Sequence, residues 1–183
     1  MGEHMIQYSV MPSPVGELLL VSEGGTLRGI YMEQHKRGPA IAEDWTRDDA
    51  GVRIVRAQLA EYFAGTRSRF DLPLGARGTP FQARVWEALA AIPFGSTTTY
   101  LQLARRIGMP KCARAVGAAV GRNPLSIVIP CHRVVGTDGS LTGYAGGTER
   151  KRWLLEFERA RTHFSLDGGG RPREEYLATR SDH

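Results

Sequence analysis

A pair of short helical segments separated by a tight turn is the feature that most constrains the fold of this chain. The first segment, TYLQLARRIG at residues 99–108, ends at a glycine, and Met109-Pro110 predicts a turn after it. The second segment, KCARAVGAAVG at residues 111–121, predicts a helix whose side chains are small on one side. Helix, tight turn and helix are typical of the helix-turn-helix, whose second helix is presented to DNA. A plain pair of antiparallel helices is the commoner alternative, but the small residues favour a helix that another molecule approaches closely.

The segment before this pair predicts a small sheet and a helix. Residues 6–32 alternate between apolar and polar side chains and contain two turn signals, which predicts about three antiparallel strands. Residues 33–50 are polar and predict a loop. Residues 52–63 carry apolar side chains at helical spacing, and residues 66–78 are expected to link this unit to the next one.

Two further helices flank the helix pair. Thr79 is a candidate N-cap, Pro80 occupies the first helical position and Gln82 completes a capping box. This helix is expected to run to about Ile92. Residues 148–160 predict a last, amphipathic helix.

The order of these elements predicts an α/β chain of the α+β type. A length of 183 residues allows one large domain or two small ones. We expect an N-terminal domain at 5–77, with an antiparallel sheet and a helix, and a mainly helical C-terminal domain at 78–160. The tail, 161–183, has three consecutive glycines and many charges, which predicts disorder.

Charge is unevenly distributed along the chain. Residues 79–160 hold 11 Lys and Arg but 5 Asp and Glu, a net charge of +6, whereas the whole chain carries +5. A basic segment attached to a nearly neutral one indicates a polyanionic partner. A solvated basic face is the simpler alternative.

A cysteine and a histidine stand side by side in the motif PCHRV, residues 130–134. The pKa of a cysteine thiol falls beside a cation or a proton acceptor, so Cys131 is a candidate nucleophile and His132 its candidate base. Adjacent side chains on a strand point to opposite faces, so His132 can help only if the chain turns at Cys131 or a water bridges the two. Glu158 on the last helix is the candidate that orients the histidine.

Three classes of function are compatible with these residues. A Cys-His hydrolase would need no helix-turn-helix. A DNA-binding module with a structural cysteine would leave PCHRV unexplained. A protein that performs cysteine chemistry on DNA uses the basic segment, the helix pair and the nucleophile together.

The C-terminal part of the chain resembles the O6-alkylguanine-DNA alkyltransferase family. The resemblance covers residues 79–160, and the N-terminal layout resembles the family's ribonuclease-H-like domain. The matching motifs are GTPFQARVW (78–86), FGSTTTY (94–100), ARAVGAAVGRNP (113–124), IPCHRV (129–134) and GYAGG (143–147).

The resemblance implies a single-turnover repair reaction. Cys131 would take the alkyl group from O6 of guanine irreversibly, with His132 as base through a water and Glu158 holding His132. Tyr100 would donate a proton or hydrogen bond to the leaving base, and Asn123 would tie the helix pair to the active-site loop. O4-alkylthymine is an open second substrate.

The resemblance also implies how the substrate is bound. Arg114 would fill the stack that the flipped base leaves, with the protein in the minor groove. The other residues assigned to DNA are Thr99, Ala113, Ala115, Gly117 and Arg122. The residues assigned to the base pocket are Val120, Ser126, Val134, Tyr144 and Ala145. Of these, Val120 and Ser126 depart from residues that the family often carries.

Further expectations concern cofactors, partners and location. Two cysteines are too few for a Cys-rich zinc cluster, and the five histidines lack metal-ligand spacing, so we expect neither a metal nor a cofactor. The expected partner is double-stranded DNA that carries O6-alkylguanine. A monomer is expected in solution, with cooperative assembly on DNA left open. No membrane span or signal peptide is visible, which predicts a cytoplasmic protein that associates with the nucleoid through DNA.

Overall fold

The N-terminal part of the chain contains a small sheet. A computed structural model describes residues 5–166. Strands β1 (Ile6–Met11), β2 (Leu18–Glu23) and β3 (Thr26–Met32) form the predicted antiparallel meander. A short strand β4 (Thr46–Arg47) pairs parallel with β1, inside the segment predicted as a loop. The strand order is therefore β3-β2-β1-β4.

Helix α1 (Arg53–Ala64) follows the sheet, one residue from the predicted position. Its buried face carries Val55, Leu59 and Tyr62, which recur at helical spacing. The helix ends at Gly65, whose φ of 79° is the left-handed conformation that glycine adopts without a steric penalty.

Helix α2 (Pro80–Ala90) begins with the predicted capping box. The Thr79 hydroxyl accepts a hydrogen bond from the Gln82 backbone N–H at 3.2 Å, and the Gln82 side chain accepts one from the Thr79 N–H at 2.9 Å. The buried indole N–H of Trp86 donates to the Ala119 carbonyl at 2.9 Å. This bond fixes α2 against the helix pair.

The predicted helix pair is present. Strand β5 (Thr98–Thr99) leads directly into α3 (Tyr100–Arg106), and a turn through Gly108 connects to a 3-10 turn at Pro110–Cys112. Helix α4 (Ala113–Val120) follows. Its buried side is formed by Val116, Ala119 and Val120.

The last helix is longer than predicted. Strand β6 (Val134–Val135) pairs parallel with β5, and α5 spans Thr148–Leu166 instead of ending at residue 160. The Arg161 guanidinium lies 3.8 Å from the centre of the Phe157 ring, which stabilises the added turn. The predicted start of the disordered tail at residue 161 is therefore wrong, because residues 161–166 are helical. The rest of that tail lies outside the described residues.

The two parts of the chain share one hydrophobic core and are joined by backbone hydrogen bonds. The Ile30 N–H donates to the Pro124 carbonyl at 2.8 Å, and the Ile30 carbonyl accepts from the Ser126 N–H at 3.2 Å. The Arg150 side chain donates to the Val15 carbonyl at 2.7 Å. Within residues 5–166, none of the helices is long and apolar enough to cross a membrane.

The capping box makes a testable contribution to stability. Replacement Thr79→Ala leaves a backbone N–H of the first turn of α2 without its acceptor, and we expect the free energy of unfolding to fall by about 0.5–2 kcal/mol. Urea unfolding followed by circular dichroism measures this change. The matched control is Thr97→Ala at an exposed loop position, and an equal loss in both variants would contradict the assigned cap.

Candidate active site

Cys131 opens a single 3-10 turn, Cys131–Arg133, and does not lie on a strand. Pro130 precedes the turn and cannot donate a hydrogen bond to a neighbouring strand. Cys131 and His132 are 6% and 0% exposed. The chain thus turns at the cysteine, which is one of the two conditions under which His132 could assist it.

Asn123 shapes the loop that leads to this turn. Its side-chain amide donates to the Ile129 carbonyl at 2.8 Å, and its carbonyl oxygen accepts from the Leu125 N–H at 3.0 Å. Between them Ile127 has a φ of 73°, which is a strained conformation for a β-branched residue. The apolar run before Pro130 is a loop, held by the Asn123 side chain at the end of α4 and by backbone hydrogen bonds from Ser126, Val128 and Ile129.

Cys131 faces a narrow cleft. The cleft lies beside the helix pair and the glycine-rich loop that follows β6. Its lining residues are His35, Tyr100, Val120, Gly121, Asn123, Cys131, Gly143, Tyr144, Ala145 and Lys151.

The carboxylate of Glu158 lies behind the turn and accepts five hydrogen bonds. Its Oε1 atom accepts from His132 Nε2 at 2.7 Å, Tyr62 Oη at 2.7 Å and Arg133 Nη2 at 2.9 Å. Its Oε2 atom accepts from Arg133 Nε at 2.8 Å and from the backbone N–H of Gly95 at 3.1 Å. Glu158 is 1% exposed, so these donors replace water as its solvation.

These contacts keep Glu158 ionised. Burial alone would raise the pKa of Glu158, but hydrogen bonds and charges from His132 and Arg133 outweigh it and hold that pKa well below its usual range. Burial lowers the pKa of His132, although Glu158 acts in the opposite direction. An ionised carboxylate only accepts hydrogen bonds, so the His132 Nε2 atom carries the proton in this pair.

The second ring nitrogen of His132 is then the basic one. Nδ1 is buried and has no hydrogen-bond partner among residues 5–166. Burial raises the pKa of the Cys131 thiol, while the Asn123 amide and the Lys151 ammonium act to lower it. In the resting state the cysteine is thus a thiol that needs a base, and His132 offers an unoccupied lone pair.

Lys151 is a buried cation beside the nucleophile. It is 1% exposed, and its ammonium donates to the Val134 carbonyl at 2.6 Å. Burial lowers the pKa of Lys151 to about 8. Its charge therefore favours a thiolate at Cys131 and disfavours a protonated His132.

The structure brings most of the residues predicted for the base pocket to the cleft, but not all. Tyr100, Val120, Tyr144 and Ala145 line the cleft with Cys131, and the Tyr100 hydroxyl donates to the Thr142 carbonyl at 3.0 Å. Ser126 and Val134 are buried and are not among the lining residues. Ser126 is held by its backbone bond to β3, and the Val134 carbonyl already accepts from Lys151.

The residues predicted to contact DNA lie on the helix pair and at its ends. Arg114, Ala115 and Arg122 are exposed, and Ala113 and Gly117 are half-buried. The Gly117 position packs against the Tyr100 ring, because a Cβ atom there would lie 3.5 Å from that ring. Thr99 serves as the N-cap of α3, its hydroxyl accepting from the Gln102 N–H at 3.1 Å. Its assignment to DNA stays a prediction.

Several residues of the site were not predicted from the sequence. Tyr62, Gly95 and Arg133 bind the Glu158 carboxylate, and His35 reaches the cleft from the loop after β3. Arg133 lies inside the PCHRV motif and Gly95 inside FGSTTTY, so the motifs could have pointed to both residues. Tyr62 and His35 carried none, because their role depends on how the two parts of the chain pack.

The arrangement suits nucleophilic attack by sulfur. Three groups lie one behind another at the cleft: the Cys131 thiol, the His132 ring with one unpartnered nitrogen, and the ionised Glu158 carboxylate. The helix α4, with small exposed side chains, lies beside the cleft. Residues 5–166 contain no group of three His, Cys, Asp or Glu side chains that could hold a metal ion.

Comparison with known proteins identifies relatives over most of the chain. Residues 80–160 match the DNA binding domain of 6-O-methylguanine DNA methyltransferase, and residues 6–76 match its ribonuclease-like domain. The methylated-DNA–protein-cysteine methyltransferase of Mycobacterium tuberculosis is 47% identical over 162 residues, which is 88% of this chain and 98% of the relative. The protein of the same name from Methanosarcina acetivorans is 42% identical over 151 residues, 82% of this chain and 97% of the relative.

Solved structures give the same match. The crystal structure of Mycobacterium tuberculosis OGT in complex with DNA superposes with a TM-score of 0.79 at 46% identity, over 85% of this chain and 94% of that chain. The O6-methylguanine-DNA methyltransferase of Pyrococcus kodakaraensis superposes with a TM-score of 0.56 at 28% identity, over 84% of this chain and 99% of that chain.

The ionised carboxylate predicts how stability depends on pH. The lowered pKa of Glu158 adds stability above its ordinary value of 4.5, and this stability is lost as the pH falls toward the lower folded-state pKa. Replacement Glu158→Gln leaves Arg133 buried without a counter-ion, and we expect a loss of about 3–5 kcal/mol at pH 7. Between pH 7 and pH 3 the variant should then lose less stability than the wild type.

Urea unfolding at several pH values measures both effects. Glu149→Gln is the matched control, because the Glu149 side chain is 86% exposed. Parallel pH profiles for Glu158→Gln and the wild type would contradict an ionised Glu158.

Proposed function

The chain belongs to the 6-O-methylguanine DNA methyltransferase family, and we propose that it repairs DNA by moving the alkyl group of O6-alkylguanine onto Cys131. The observation that carries this proposal is the position of Cys131 at a cleft beside an exposed helix, with His132 and Glu158 directly behind it. A hydrolase would need the same cysteine and histidine but would have no use for that helix.

The chemical step is a displacement at carbon. The Cys131 proton passes through a water to His132 Nδ1, and the thiolate attacks the alkyl carbon. The new carbon–sulfur bond forms as the bond from carbon to guanine O6 breaks, and the electron pair stays on the purine. Tyr100 donates a proton or a hydrogen bond to the leaving purine and so stabilises the charge that develops on it. The thioether product is stable, so each molecule reacts once.

The hydrogen bond to Glu158 supports this role for His132. Because Nε2 donates to Oε1 at 2.7 Å, the tautomer leaves Nδ1 free to accept a proton. The ionised carboxylate then stabilises the imidazolium that forms. The cation at Lys151 stabilises the thiolate at the same moment.

The lining of the cleft supports guanine as the base that enters. Tyr100 and Tyr144 offer aromatic surface, and Val120 closes one wall. The backbone N–H of Ala145 is assigned to O6. The carbonyls of Cys131 and Val134 are assigned to the guanine amino group. Each already accepts one hydrogen bond, Cys131 from the Val134 N–H and Val134 from Lys151, and each keeps a second lone pair.

The exposed side of α4 supports the DNA-binding assignment. Ala115 is small and exposed and leaves room for the walls of a minor groove, and Arg114 projects from the same helix. Phosphate contacts through the basic segment would make binding weakly sequence-dependent and sensitive to salt. Extrusion of the base is required, because the reactive carbon lies inside the duplex.

The remaining assignments concern organisation. We assign residues 5–77 to the N-terminal domain and 78–160 to the DNA-binding domain. The protein is proposed to act as a monomer on double-stranded DNA. Its proposed location is the cytoplasm, and the nucleoid when it is bound to DNA. Whether several molecules assemble cooperatively on DNA is left to measurement.

Stoichiometric methylation of Cys131 is the first expected outcome. After incubation with a duplex that contains O6-methylguanine, one methyl group should replace one hydrogen in the tryptic peptide 123–133. That peptide contains Cys131 but not Cys112. Replacement Cys131→Ala should keep DNA binding and leave the substrate methylated. Methyl groups on Cys112, or more than one repaired base per protein molecule, would rule out the proposed reaction.

The second expected outcome separates base extrusion from chemistry. Replacement Arg114→Ala should slow repair of duplex DNA about tenfold or more at saturating protein, because nothing then fills the vacated stack. Its rate with free O6-alkylguanine base should change little. Arg122→Ala is the matched loss of charge, expected to weaken binding to all DNA and flatten the salt slope by about one unit. A wild-type duplex rate for Arg114→Ala would make Arg114 a phosphate contact or a bystander.

A further inference from the structure

Tyr62 connects the N-terminal part of the chain to the reactive turn. It lies on α1, is 0% exposed, and its hydroxyl donates to Glu158 Oε1 at 2.7 Å. The same oxygen atom accepts from His132 Nε2 at 2.7 Å. A single carboxylate oxygen therefore joins a residue of the ribonuclease-like part to the histidine beside Cys131.

We propose that Tyr62 is a positioning residue for alkyl transfer, whose hydroxyl shares Glu158 Oε1 with His132 and so tunes the basicity of His132. This inference rests on the proposed function. It gives the N-terminal part of the chain a direct influence on the reaction, although that part contributes no nucleophile, base or DNA-contacting helix.

The direction of the hydrogen bond follows from the charges. Glu158 is ionised and can only accept, and burial together with the charge of Glu158 raises the pKa of Tyr62, so its hydroxyl keeps its proton. Tyr62, His132 and Arg133 all donate to Oε1. Each donor withdraws part of the negative charge that the others would otherwise receive.

The hydroxyl is not needed for packing. The Tyr62 ring lies in an aromatic cluster, with ring centres 5.2–6.0 Å from its neighbours. Those neighbours are Phe63, Phe70, Phe94 and Phe157. A phenylalanine at position 62 would keep these contacts. Replacement Tyr62→Phe therefore removes only the hydrogen bond to Glu158.

Removal of the hydroxyl should make His132 a stronger base. The ionisable groups that face the His132 ring are Glu158, Arg133 and Lys151, with the Cys131 thiol next to it in the chain. Glu158 favours the imidazolium, whereas Arg133 and Lys151 oppose it. Without the Tyr62 donor, Glu158 Oε1 accepts a stronger hydrogen bond from His132. The imidazolium is then stabilised, and the pKa of His132 rises.

The test is the pH dependence of the single-turnover methylation rate on a duplex that contains O6-methylguanine. The rate falls on the acid side of the profile as His132 becomes protonated. In Tyr62→Phe the midpoint of this acid limb should shift to a higher pH by roughly half a unit, so the rate measured at the wild-type midpoint falls about twofold. The rate on the alkaline plateau should stay within about a factor of two. A stronger donor, 3-fluorotyrosine in place of Tyr62, should move the limb in the opposite direction. Tyr8→Phe is the matched control, since Tyr8 is a half-buried tyrosine on β1.

A second measurement separates this inference from the proposed function. The pKa of His132, read by NMR from its ring nitrogens, should be higher in Tyr62→Phe than in the wild type, whether or not DNA is present. If the wild type methylates Cys131 and the variant shows the same limb and the same His132 titration, the inference is wrong and the proposed function stands. A lower plateau with an unmoved limb would assign Tyr62 a structural role only. If the wild type gains no methyl group, the proposed function is wrong, and the role of Tyr62 in that reaction is wrong as well.

Discussion

The buried carboxylate of Glu158 is the interaction on which the site depends. It joins α5 to the 3-10 turn through His132 and Arg133, to α1 through Tyr62 and to the turn before β5 through Gly95. A buried anion is costly unless several donors replace the lost water. The same set of donors holds the histidine in one tautomer, so the requirement for stability and the requirement for chemistry are met by the same hydrogen bonds.

Fixed charges on both sides of Cys131 and His132 favour transfer of a proton between them. Burial keeps the Cys131 pKa high in the resting protein, and it keeps His132 neutral. Lys151 favours the thiolate and Glu158 favours the imidazolium, so the two charged products of proton transfer are each stabilised by a fixed partner. Cys131 and His132 can therefore both remain neutral at rest, and the site can still support a thiolate when substrate is present.

Local signals in the sequence predicted most secondary structure, because they act over a few residues. The capping box at Thr79, the glycine stops and the apolar spacing of α1 gave elements at the observed positions to within a residue or two. The errors lie where distant contacts decide. Strand β4 exists only because β1 offers an edge to pair with, and α5 continues past residue 160.

The sequence by itself determined the nucleophile, its neighbouring histidine, the helix pair and the family, since these are carried by short motifs whose chemistry is local. It also indicated Glu158, which the fold brings to His132 from 26 positions away. Only the tertiary structure placed the Tyr62 hydroxyl against Glu158 and His35 at the cleft, and buried Val134 and Ser126. The physical reason is that burial and shared hydrogen bonds arise when α1, α5 and the reactive turn pack together, and no single segment encodes that contact.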